Sequence, residues 1–462
     1  MGFDWGKIED PGSKTNFESL ARKHRFQALG KACLEHGIDS LLLAHHEDDQ
    51  AETVMMRMIN GHRVLGLVGM KEDSGIPECY GLHGICQSGG VDTSNQSQLR
   101  RHSDPASLGI LNQRHEHFYP LVIEKGGVIV YRPLLGFTKS RLIATCQSEN
   151  MEWFEDHTNK DPSLTVRNAV RHMFRSAAMP NALKSESMIQ LSKRCKTKDS
   201  SLNSAAQRLL QESFPSDFNT RAGTLTIRFP SNDHINSLDL FSSSADKGLI
   251  AALLLRQVVT FVTPDEHVHL YSLHGAVRRI FPEIFGQASS ETELPVAFTV
   301  SGVRFQPLYP QSDNASHRYQ KFKWLVSRQP HSALPSAKPL ITIPQSQPAR
   351  WSEWKLYDGR FWIRVQNRSS FLVVIRPFHK DDMQTLKPTL AEKKVLKSHA
   401  PELVRWTLPA IAVREQDGQE RVVALPTLDI VAPGIEKHVS WEVRYKNVDV
   451  DSLCKSGLCI LR

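Results

Sequence analysis

The stretch LLLAHHEDDQAET, residues 41–53, decides the fold of the first part of the chain. It completes a compact apolar run at residues 38–44, which is typical of a buried parallel strand. Polar residues follow at 45–50, and apolar residues at helical spacing resume over 51–61. A helical pattern at residues 17–37 precedes the strand. Helix, strand, turn and helix in this order predict an α/β domain with a doubly wound parallel sheet.

Two carboxylates and a histidine in this stretch are candidate site residues. Asp49 and Glu52 are three residues apart, so on a helix their side chains share one face. Such a pair in a first helical turn can hold Mg²⁺ bound to phosphates or receive an ammonium group, or it can be a solvated acidic turn. His45 stands at the carboxyl end of the strand, where open α/β sheets bind ligands. It is a candidate donor to a phosphate or a base, with a structural role as the alternative.

Composition excludes several classes of protein. The chain has 462 residues, of which 40% are hydrophobic and 23% charged, so it is not wholly disordered. No apolar run approaches the roughly 20 residues of a membrane span. Residues 1–16 lack the pattern of a signal or transit peptide. Seven cysteines without a CxxC favour a reducing, intracellular compartment. The net charge of +8 allows a polyanionic partner without proving one.

Changes in composition predict the domain boundaries. Residues 1–178 are expected to form the α/β domain, with a polar insertion at 71–118 that is rich in Gly, Ser, Gln, Asn and His. A small mixed α+β domain is predicted at 185–330. Residues 331–350, rich in Pro, Ser and Gln, indicate a linker. Alternating apolar and polar residues predict a β-rich C-terminal domain at 351–462.

The signature HHxDDxxET resembles the second signature of the PP-loop ATP pyrophosphatases, specifically the tRNA(Ile)-lysidine synthetases. Further motifs of that family follow in the same order over residues 17–175. They are Glu18, Ala21, Arg22, Arg25 and Phe26 (ExxARxxRY); Gly66, Leu67 and Met70 (GLxGM); Arg132 to Leu135 (RPLL); and Trp153, Glu155, Asp156, Asn159, Arg167, Asn168 and Arg171 (W-x-E-D-x-x-N…RN-x-x-R). Residues 200–462 match only loosely, as accessory tRNA-binding domains would. The insertion and the β-rich tail resemble fungal members.

The resemblance implies a PP-loop (HUP-like) fold and a two-step reaction. ATP adenylates the C2 oxygen of the wobble cytidine in tRNA(Ile) with a CAU anticodon. The ε-amine of free L-lysine then displaces AMP and leaves lysidine. ATP and Mg²⁺ are the implied cofactors, with Asp49 and Glu52 near the metal and with His45, Asp49 and Arg132 at the nucleotide. The guanidinium of Arg132 suits the α-phosphate or the leaving AMP, an ordinary surface arginine being the alternative.

Basic residues between 166 and 198 are expected to meet tRNA phosphates, which makes the affinity dependent on salt. Arg167 and Arg171 are the best candidates within this segment, and the ExxARxxRY resemblance adds Arg22 and Arg25. A solvated helical face is the alternative interpretation. No membrane partner is expected, and a homodimer is left open. The predicted location is mitochondrial if the source is eukaryotic and cytoplasmic otherwise.

The chain departs from the family pattern at the phosphate-binding loop. The family carries SGGxDS after its first strand, and residues 1–16 contain neither a strand pattern nor such a loop. The first strand and loop are therefore expected to be missing, and lysidine formation by residues 1–462 is expected to be weak or absent. Residues 88–94, SGGVDTS, have similar letters but no buried strand before them and no helix after them. A chance match is favoured over a relocated loop.

Two other functions compete with lysidine synthesis. One is a tRNA thiolase of the same superfamily, although the thiolases that resemble two-thiocytidine synthases carry paired cysteines, and no CxxC is present here. The other is a catalytically impaired homologue that binds tRNA but lacks the phosphate loop. Iron and sulfide analysis tests the first alternative, and tRNA binding without AMP release would support the second.

Overall fold

The structure is a computed structural model that describes most of the chain. The described residues are 17–90, 119–155, 161, 163, 165–175, 179–230, 235, 243–286, 295–309, 322–332, 334, 338–345, 349–415, 417–434 and 438–455. Contacts divide the chain into two units. The N-terminal unit comprises Met1–Glu78 and Val128–Ser204, and the C-terminal unit comprises Cys79–Gly127 and Ala205–Arg462.

The N-terminal unit places helices around a short sheet. Its helices are α1 (Phe17–Glu35), α2 (Glu47–Ile59), α3 (Lys139–Ser148), α4 (Val166–Arg175) and α5 (Ser185–Glu212), the last of which continues past Ser204. Its strands are β1 (Ser40–Leu42), β2 (Asp73–Gly75) and β3 (Ile129–Tyr131), in the order β1-β3-β2. β1 and β3 are parallel, whereas β2 and β3 are antiparallel.

This sheet differs from the predicted doubly wound parallel sheet. Over the described part of the unit it has three strands and only one parallel pair. The strand β2 lies in the region predicted as a polar insertion, and residues 91–118 of that region lie outside the described residues. Its sequence, Asp-Ser-Gly, has no apolar pattern. The strand nevertheless forms, because its backbone hydrogen bonds to β3 do not depend on side-chain type. Periodicity could not reveal it.

Helix α2 is fixed at its start and along one face. His46 is the N-cap, and its ring accepts a hydrogen bond from the backbone N–H of Asp49 while the Asp49 carboxylate accepts one from the backbone N–H of His46. This reciprocal capping begins the helix at Glu47. Its apolar face packs against α4 and α5 in one buried cluster, made of Ala51, Val54, Met55, Val170 and Met188. The contact with Val170 therefore fixes one side of α2 against α4.

The GLVGM segment is attached to α2 by side chains of the helix. The amide group of Gln50 bonds both the backbone N–H and the carbonyl of Met70. Arg57 donates to the carbonyls of Gly66 and Gly69. Gly69 has φ +80°, and a Cβ there would lie 2.7 Å from the Gln50 side chain, so the position requires glycine. The motif therefore has a structural role in this chain.

The C-terminal unit combines three antiparallel sheets with short helices. In chain order its elements are β4 (Phe214–Asn219), β5 (Thr224–Arg228), α6 (Ser244–Thr260), α7 (His274–Ile280), β6 (Phe298–Val300), β7 (Val303–Leu308), β8 (Lys323–Arg328), β9 (Ile341–Ile343), β10 (Lys355–Tyr357), β11 (Phe361–Asn367), β12 (Leu372–Pro377), α8 (Asp382–Leu386), α9 (Leu390–His399), β13 (Pro409–Arg414), β14 (Glu420–Leu425), β15 (Ile430–Val431), β16 (Val439–Tyr445) and α10 (Val450–Lys455). The sheet orders are β4-β5-β8-β7-β6, β15-β14-β13-β12-β9 and β10-β11-β16.

The β-rich character predicted for the C-terminal region is confirmed. The predicted linker at 331–350 contributes strand β9, which pairs with Val373–Ile375 of β12. Residues 205–330 and 351–462 fall into one compact unit together with residues 79–127. None of the helices in the described segments has both the length and the apolar character that a membrane span requires.

Candidate functional site

The turn between β1 and α2 lies at the carboxyl end of β1 and is held by two hydrogen bonds to the segment after β3. The backbone N–H of Glu47 donates to the carbonyl of Phe137, at 2.9 Å. The Asp48 carboxylate accepts the backbone N–H of Lys139 at 2.7 Å, which satisfies a donor at the start of α3. The HHEDD motif is therefore joined to the segment after β3, which begins with Arg132. Two motifs that are distant along the chain meet here.

His45 lies half-buried at this turn, with its Nδ1 buried and without a hydrogen-bond partner among the described residues. Burial lowers the pKa of His45, and the negative charge of Asp49 opposes this effect. The positive charges of Arg132, Arg167 and Arg22 lower the pKa of the ring further. The imidazole is therefore neutral at pH 7. The four residues that act on this pKa were all singled out from the sequence.

Asp49 is engaged in capping and is near one arginine. Its Oδ2 accepts the backbone N–H of His46 at 3.0 Å. Its Oδ1 lies 4.0 Å from a terminal nitrogen of Arg171. The side chain is 15% exposed, so it stays accessible to a small ligand. The prediction that Asp49 serves at the nucleotide or metal is not tested by this arrangement.

Glu52 is buried and pairs with two arginines of α4. Its side chain is 2% exposed. Arg171 donates from Nε to Oε1 at 2.7 Å and from a terminal nitrogen to Oε2 at 3.0 Å. Arg167 Nε lies 3.0 Å from Oε2 as an ion pair, and a terminal nitrogen of Arg167 donates to Thr53 Oγ1 at 3.3 Å. We call Glu52, Arg167 and Arg171 the Glu52 cluster.

This pairing differs from the predicted magnesium site. Mg²⁺ takes oxygen ligands and usually keeps several waters. Both oxygens of Glu52 instead face guanidinium groups, so the residue does not fit the role of a metal ligand in this arrangement. Within the described ranges, no group of three or more His, Cys, Asp or Glu side chains could hold a metal ion. Glu52 and the two arginines were predicted to serve different ligands, whereas the structure joins them to one another.

Arg132 is 8% exposed, and residues in or near the antiparallel strand β2 hold its side chain. One terminal nitrogen donates to the carbonyl of Lys71 at 3.0 Å and to Ser74 Oγ at 3.1 Å. Its Nε is buried without a partner in the described part of the chain. Burial lowers the pKa of Arg132, and the charge of Arg22 adds to this effect. The sequence did not indicate the role of Ser74, because β2 carried no strand pattern.

The two arginines of α1 are exposed. Arg22 Nε lies 3.3 Å from Glu78 Oε1. The guanidinium carbons of Arg22 and Arg25 lie 4.8 Å and 5.4 Å from the centre of the buried Phe26 ring. Arg22 contributes to the potential at His45, whereas Arg25 is not among the groups that shift the pKa of His45. The tRNA-binding role of both residues stays a prediction.

The W-x-E-D segment is described only in part. Trp153 is 42% exposed, and Glu155 lies 3.1 Å from the ammonium group of Lys139. The other two motif residues predicted there, Asp156 and Asn159, lie outside the described residues.

The SGG letters at residues 88–90 belong to the C-terminal unit. The backbone N–H of Gly89 donates to the buried carboxylate of Glu124 at 2.9 Å, and Ser88 Oγ donates to the carbonyl of Cys86. An amide that could face a phosphate is thus satisfied by a carboxylate of the chain itself. This geometry favours the interpretation of a chance match. Residues 91–94 lie outside the described residues.

Comparison with known proteins identifies the class of this site. Residues 3–93 and 98–177 match the family model of the PP-loop domain. Over this part, which is less than half of the chain, the sequence is similar to PP-loop domains. The similar proteins are tRNA(Ile)-lysidine synthases, and the resemblance read from the motifs is thereby confirmed. The similarities support an ATP-dependent, ligase-type enzyme of tRNA modification.

The extent of the similarity differs between relatives. The probable tRNA(Ile)-lysidine synthase of Schizosaccharomyces pombe is 26% identical over 432 residues, which cover 92% of this chain and 76% of that protein. The enzyme of Anaplasma marginale is 28% identical over 145 residues, 31% of this chain and 21% of that protein. That of Bordetella pertussis is 43% identical over 60 residues, 13% of this chain and 19% of that protein.

Proposed function

We propose that the chain is an ATP-dependent tRNA(Ile)-lysidine synthetase, which modifies the wobble cytidine of a CAU anticodon with free L-lysine. The observation that carries this proposal is the arrangement at the carboxyl end of β1, where the turn with His45 is bonded to the segment after β3 and Arg132 is held by Lys71 and Ser74. One carboxylate and three arginines act there on the pKa of His45. Open α/β sheets bind ligands at that edge. An excess of guanidinium groups suits a substrate that carries several phosphates. The similarity to one probable lysidine synthase over 92% of the chain adds the substrate class.

The proposed reaction has two balanced steps. The C2 oxygen of cytidine attacks the α-phosphorus of ATP, and the bond to pyrophosphate breaks. The ε-amine of lysine then attacks C2, the C2–O bond breaks with AMP as the leaving group, and the amine loses a proton. In both steps negative charge moves onto a departing phosphate. Cationic donors held in place before the reaction stabilise that charge without a cost of reorganisation.

His45 and Arg132 are the residues proposed to contact the nucleotide. The neutral ring of His45 has a buried Nδ1 that can bond a phosphate or the base. Arg132 is held by Lys71 and Ser74 through one terminal nitrogen, so its guanidinium is fixed before a ligand binds. Charge-assisted hydrogen bonds from such a group are stronger than neutral ones. Burial strengthens them further, because the local dielectric constant is low.

Asp49 is proposed to serve the other reactants. Its negative charge acts on the pKa of His45, which supports a role at the same edge. A carboxylate there can receive the lysine ammonium group or assist Mg²⁺ that enters with ATP. Mg²⁺ is usually held through substrate phosphates and one or two protein carboxylates.

The test is incorporation of radioactive lysine into a tRNA(Ile) transcript by residues 1–462. We expect incorporation that requires ATP and a CAU anticodon, however slow, and none with a GAU transcript. Arg132→Ala should lower the rate by about 10- to 100-fold, the range for losing a hydrogen bond to a charged group. Tight tRNA binding without incorporation would contradict the proposal and favour a non-catalytic tRNA-binding protein. A stoichiometric iron–sulfur cluster would favour a thiolase.

A further inference from the structure

We propose that Glu52 is a positioning residue that holds Arg167 and Arg171 for binding phosphate groups of RNA, and is not a metal ligand. The inference rests on the proposed function, because it takes tRNA as the partner of this site. In this inference Glu52 acts only by positioning the two arginines.

The first argument is the order of burial within the Glu52 cluster. The carboxylate is 2% exposed, whereas the side chains of Arg171 and Arg167 are 21% and 31% exposed. The guanidinium groups therefore lie between the carboxylate and solvent. A ligand that arrives from solvent meets the cations and not Glu52. A metal ion would need the oxygens that the arginines already occupy.

The second argument is that the cluster stands on rigid elements. Arg167 and Arg171 are four residues apart on α4, so they share one face of the helix. Glu52 lies on α2 between the buried residues Ala51 and Val54, which pack against Val170 of α4. The apolar contact fixes the distance between the two helices. The carboxylate can therefore hold both guanidinium groups at a constant depth.

The third argument is the balance of charge. Two guanidinium groups face one buried carboxylate, and the Asp49 carboxylate is 4.0 Å from Arg171 but also caps α2. Glu52 reduces the repulsion between the two cations without cancelling the positive potential at the surface. Arginine side chains that are ordered before binding lose less entropy when they bind. A guanidinium matches the geometry of a phosphate.

The experiment measures binding of a tRNA(Ile) transcript by fluorescence anisotropy and binding of ATP by calorimetry, each over a range of Mg²⁺ concentrations. Glu52→Gln keeps the size of the side chain and removes its charge. We expect its Kd for tRNA to rise about tenfold, the effect of weakening roughly one phosphate contact. Its Kd for ATP should change less than twofold, and the Mg²⁺ midpoint should stay unchanged. Glu52→Asp should give a smaller rise.

A double-mutant comparison tests whether Glu52 acts through the arginines. In a chain that carries Arg167→Met and Arg171→Met, adding Glu52→Gln should weaken tRNA binding no further. Arg63→Met is the matched control, because Arg63 is exposed in the N-terminal unit and is not among the residues proposed to bind tRNA. It should leave tRNA binding unchanged. Urea unfolding of each variant establishes that it is folded under the assay conditions.

The possible results separate this inference from the proposed function. A shifted Mg²⁺ midpoint in Glu52→Gln would identify a metal ligand, and weakened ATP binding with unchanged tRNA binding would identify the nucleotide as the source of the phosphate. Either result, full additivity in the double-mutant comparison, or an unchanged Kd for tRNA in Glu52→Gln would overturn the inference. Loss of lysine incorporation with intact tRNA binding in the unmodified chain would overturn only the proposed function. Absence of tRNA binding by the unmodified chain would overturn both.

Discussion

Each of the two units contains a buried carboxylate between two arginines. In the N-terminal unit this is Glu52, 2% exposed, with Arg167 and Arg171. In the C-terminal unit it is Asp358, 4% exposed, with Arg328 at 3.1 Å and Arg360 at 2.8 Å. The chemical groups are the same, and so is the ratio of charges. The two clusters therefore allow a comparison in which only the surroundings of the arginines differ.

The arginines around Asp358 are less exposed than those around Glu52 and are bonded to the backbone. Arg360 is fully buried and donates to the carbonyl of Thr407 at 2.7 Å. Arg328 is 14% exposed and donates to the carbonyls of Gly302 and Gln329. Burial alone would raise the pKa of Asp358, but the charges of Arg360 and Arg328 outweigh it and keep the pKa low. This cluster joins the ends of several strands and is largely shielded from solvent.

The exposure of the cations, and not that of the carboxylate, distinguishes the two clusters. Where the arginines reach solvent they can bind a second anion, and where they are buried they can only hold the fold together. A buried carboxylate between two arginines is therefore insufficient evidence for a binding site. The following four predictions test this distinction.

Asp358→Asn should give the largest loss of stability. It leaves two buried guanidinium groups with a neutral neighbour, and breaking a buried pair of this kind costs about 3–5 kcal/mol. Urea unfolding measures the change in the free energy of unfolding. Glu442→Gln is the control, because Glu442 and Arg364 are both about one-third exposed, and such pairs contribute about 1 kcal/mol or less. Equal losses in the two variants would contradict the assignment of Asp358 as a structural anchor.

Glu52→Gln should destabilise the fold less, by about 1–2 kcal/mol. The reason is that Arg167 and Arg171 can turn their guanidinium groups toward water when the carboxylate is lost. The same urea experiment applies, with Asp358→Asn measured in parallel. A loss as large as that of Asp358→Asn would remove the difference between the clusters.

The C-terminal unit should lose stability in acid because of His331, which lies near Asp358. Burial lowers the pKa of His331 to about 4. The charge of Asp358 opposes the shift, and Arg328, Arg360 and Lys338 add to it. Between pH 6.5 and 4 the unfolded chain binds a proton at this ring that the folded chain does not, so stability falls as the pH falls through this range. His331→Gln should make the urea midpoint less dependent on pH in that range. An unchanged slope would contradict this assignment.

The smallest expected effect is on the salt dependence of tRNA binding. Arg167→Met should reduce the slope of log Kd for tRNA against log salt concentration by about one, because one phosphate contact is lost. Anisotropy titrations at several salt concentrations measure the slope. Arg63→Met, at an exposed position outside the Glu52 cluster, should leave the slope unchanged. A similar change in both variants would indicate an unspecific effect of charge.

Local elements were predictable to the extent that periodicity and capping determine them. The helical pattern at 17–37 corresponds to α1, and the apolar run at 38–44 contains β1. The strand β2 was missed because it has no apolar alternation. Strand β9 was missed because it lies in a segment rich in Pro, Ser and Gln. Both are short strands held mainly by backbone pairing, which leaves no pattern in side-chain types.

The candidate site was predictable in its members but not in their pairing. The motifs indicated His45, Asp49 and Arg132, and in the structure the charges of Asp49 and Arg132 both act on the pKa of His45. The pairing of Glu52 with Arg171 joins residues 119 positions apart along the chain. Nothing in the spacing of either residue indicates the other.

The sequence by itself determined the α/β elements around the HHEDD motif, the resemblance to PP-loop enzymes and the positive net charge of the chain, because periodicity, motif order and composition do not depend on the fold. Only the tertiary structure decided which charges neutralise one another and which face solvent. The physical reason is that a charge must be compensated in proportion to its burial, and burial depends on contacts between distant segments. The same carboxylate with two arginines is thus a structural anchor at Asp358 and a proposed support for an RNA contact at Glu52.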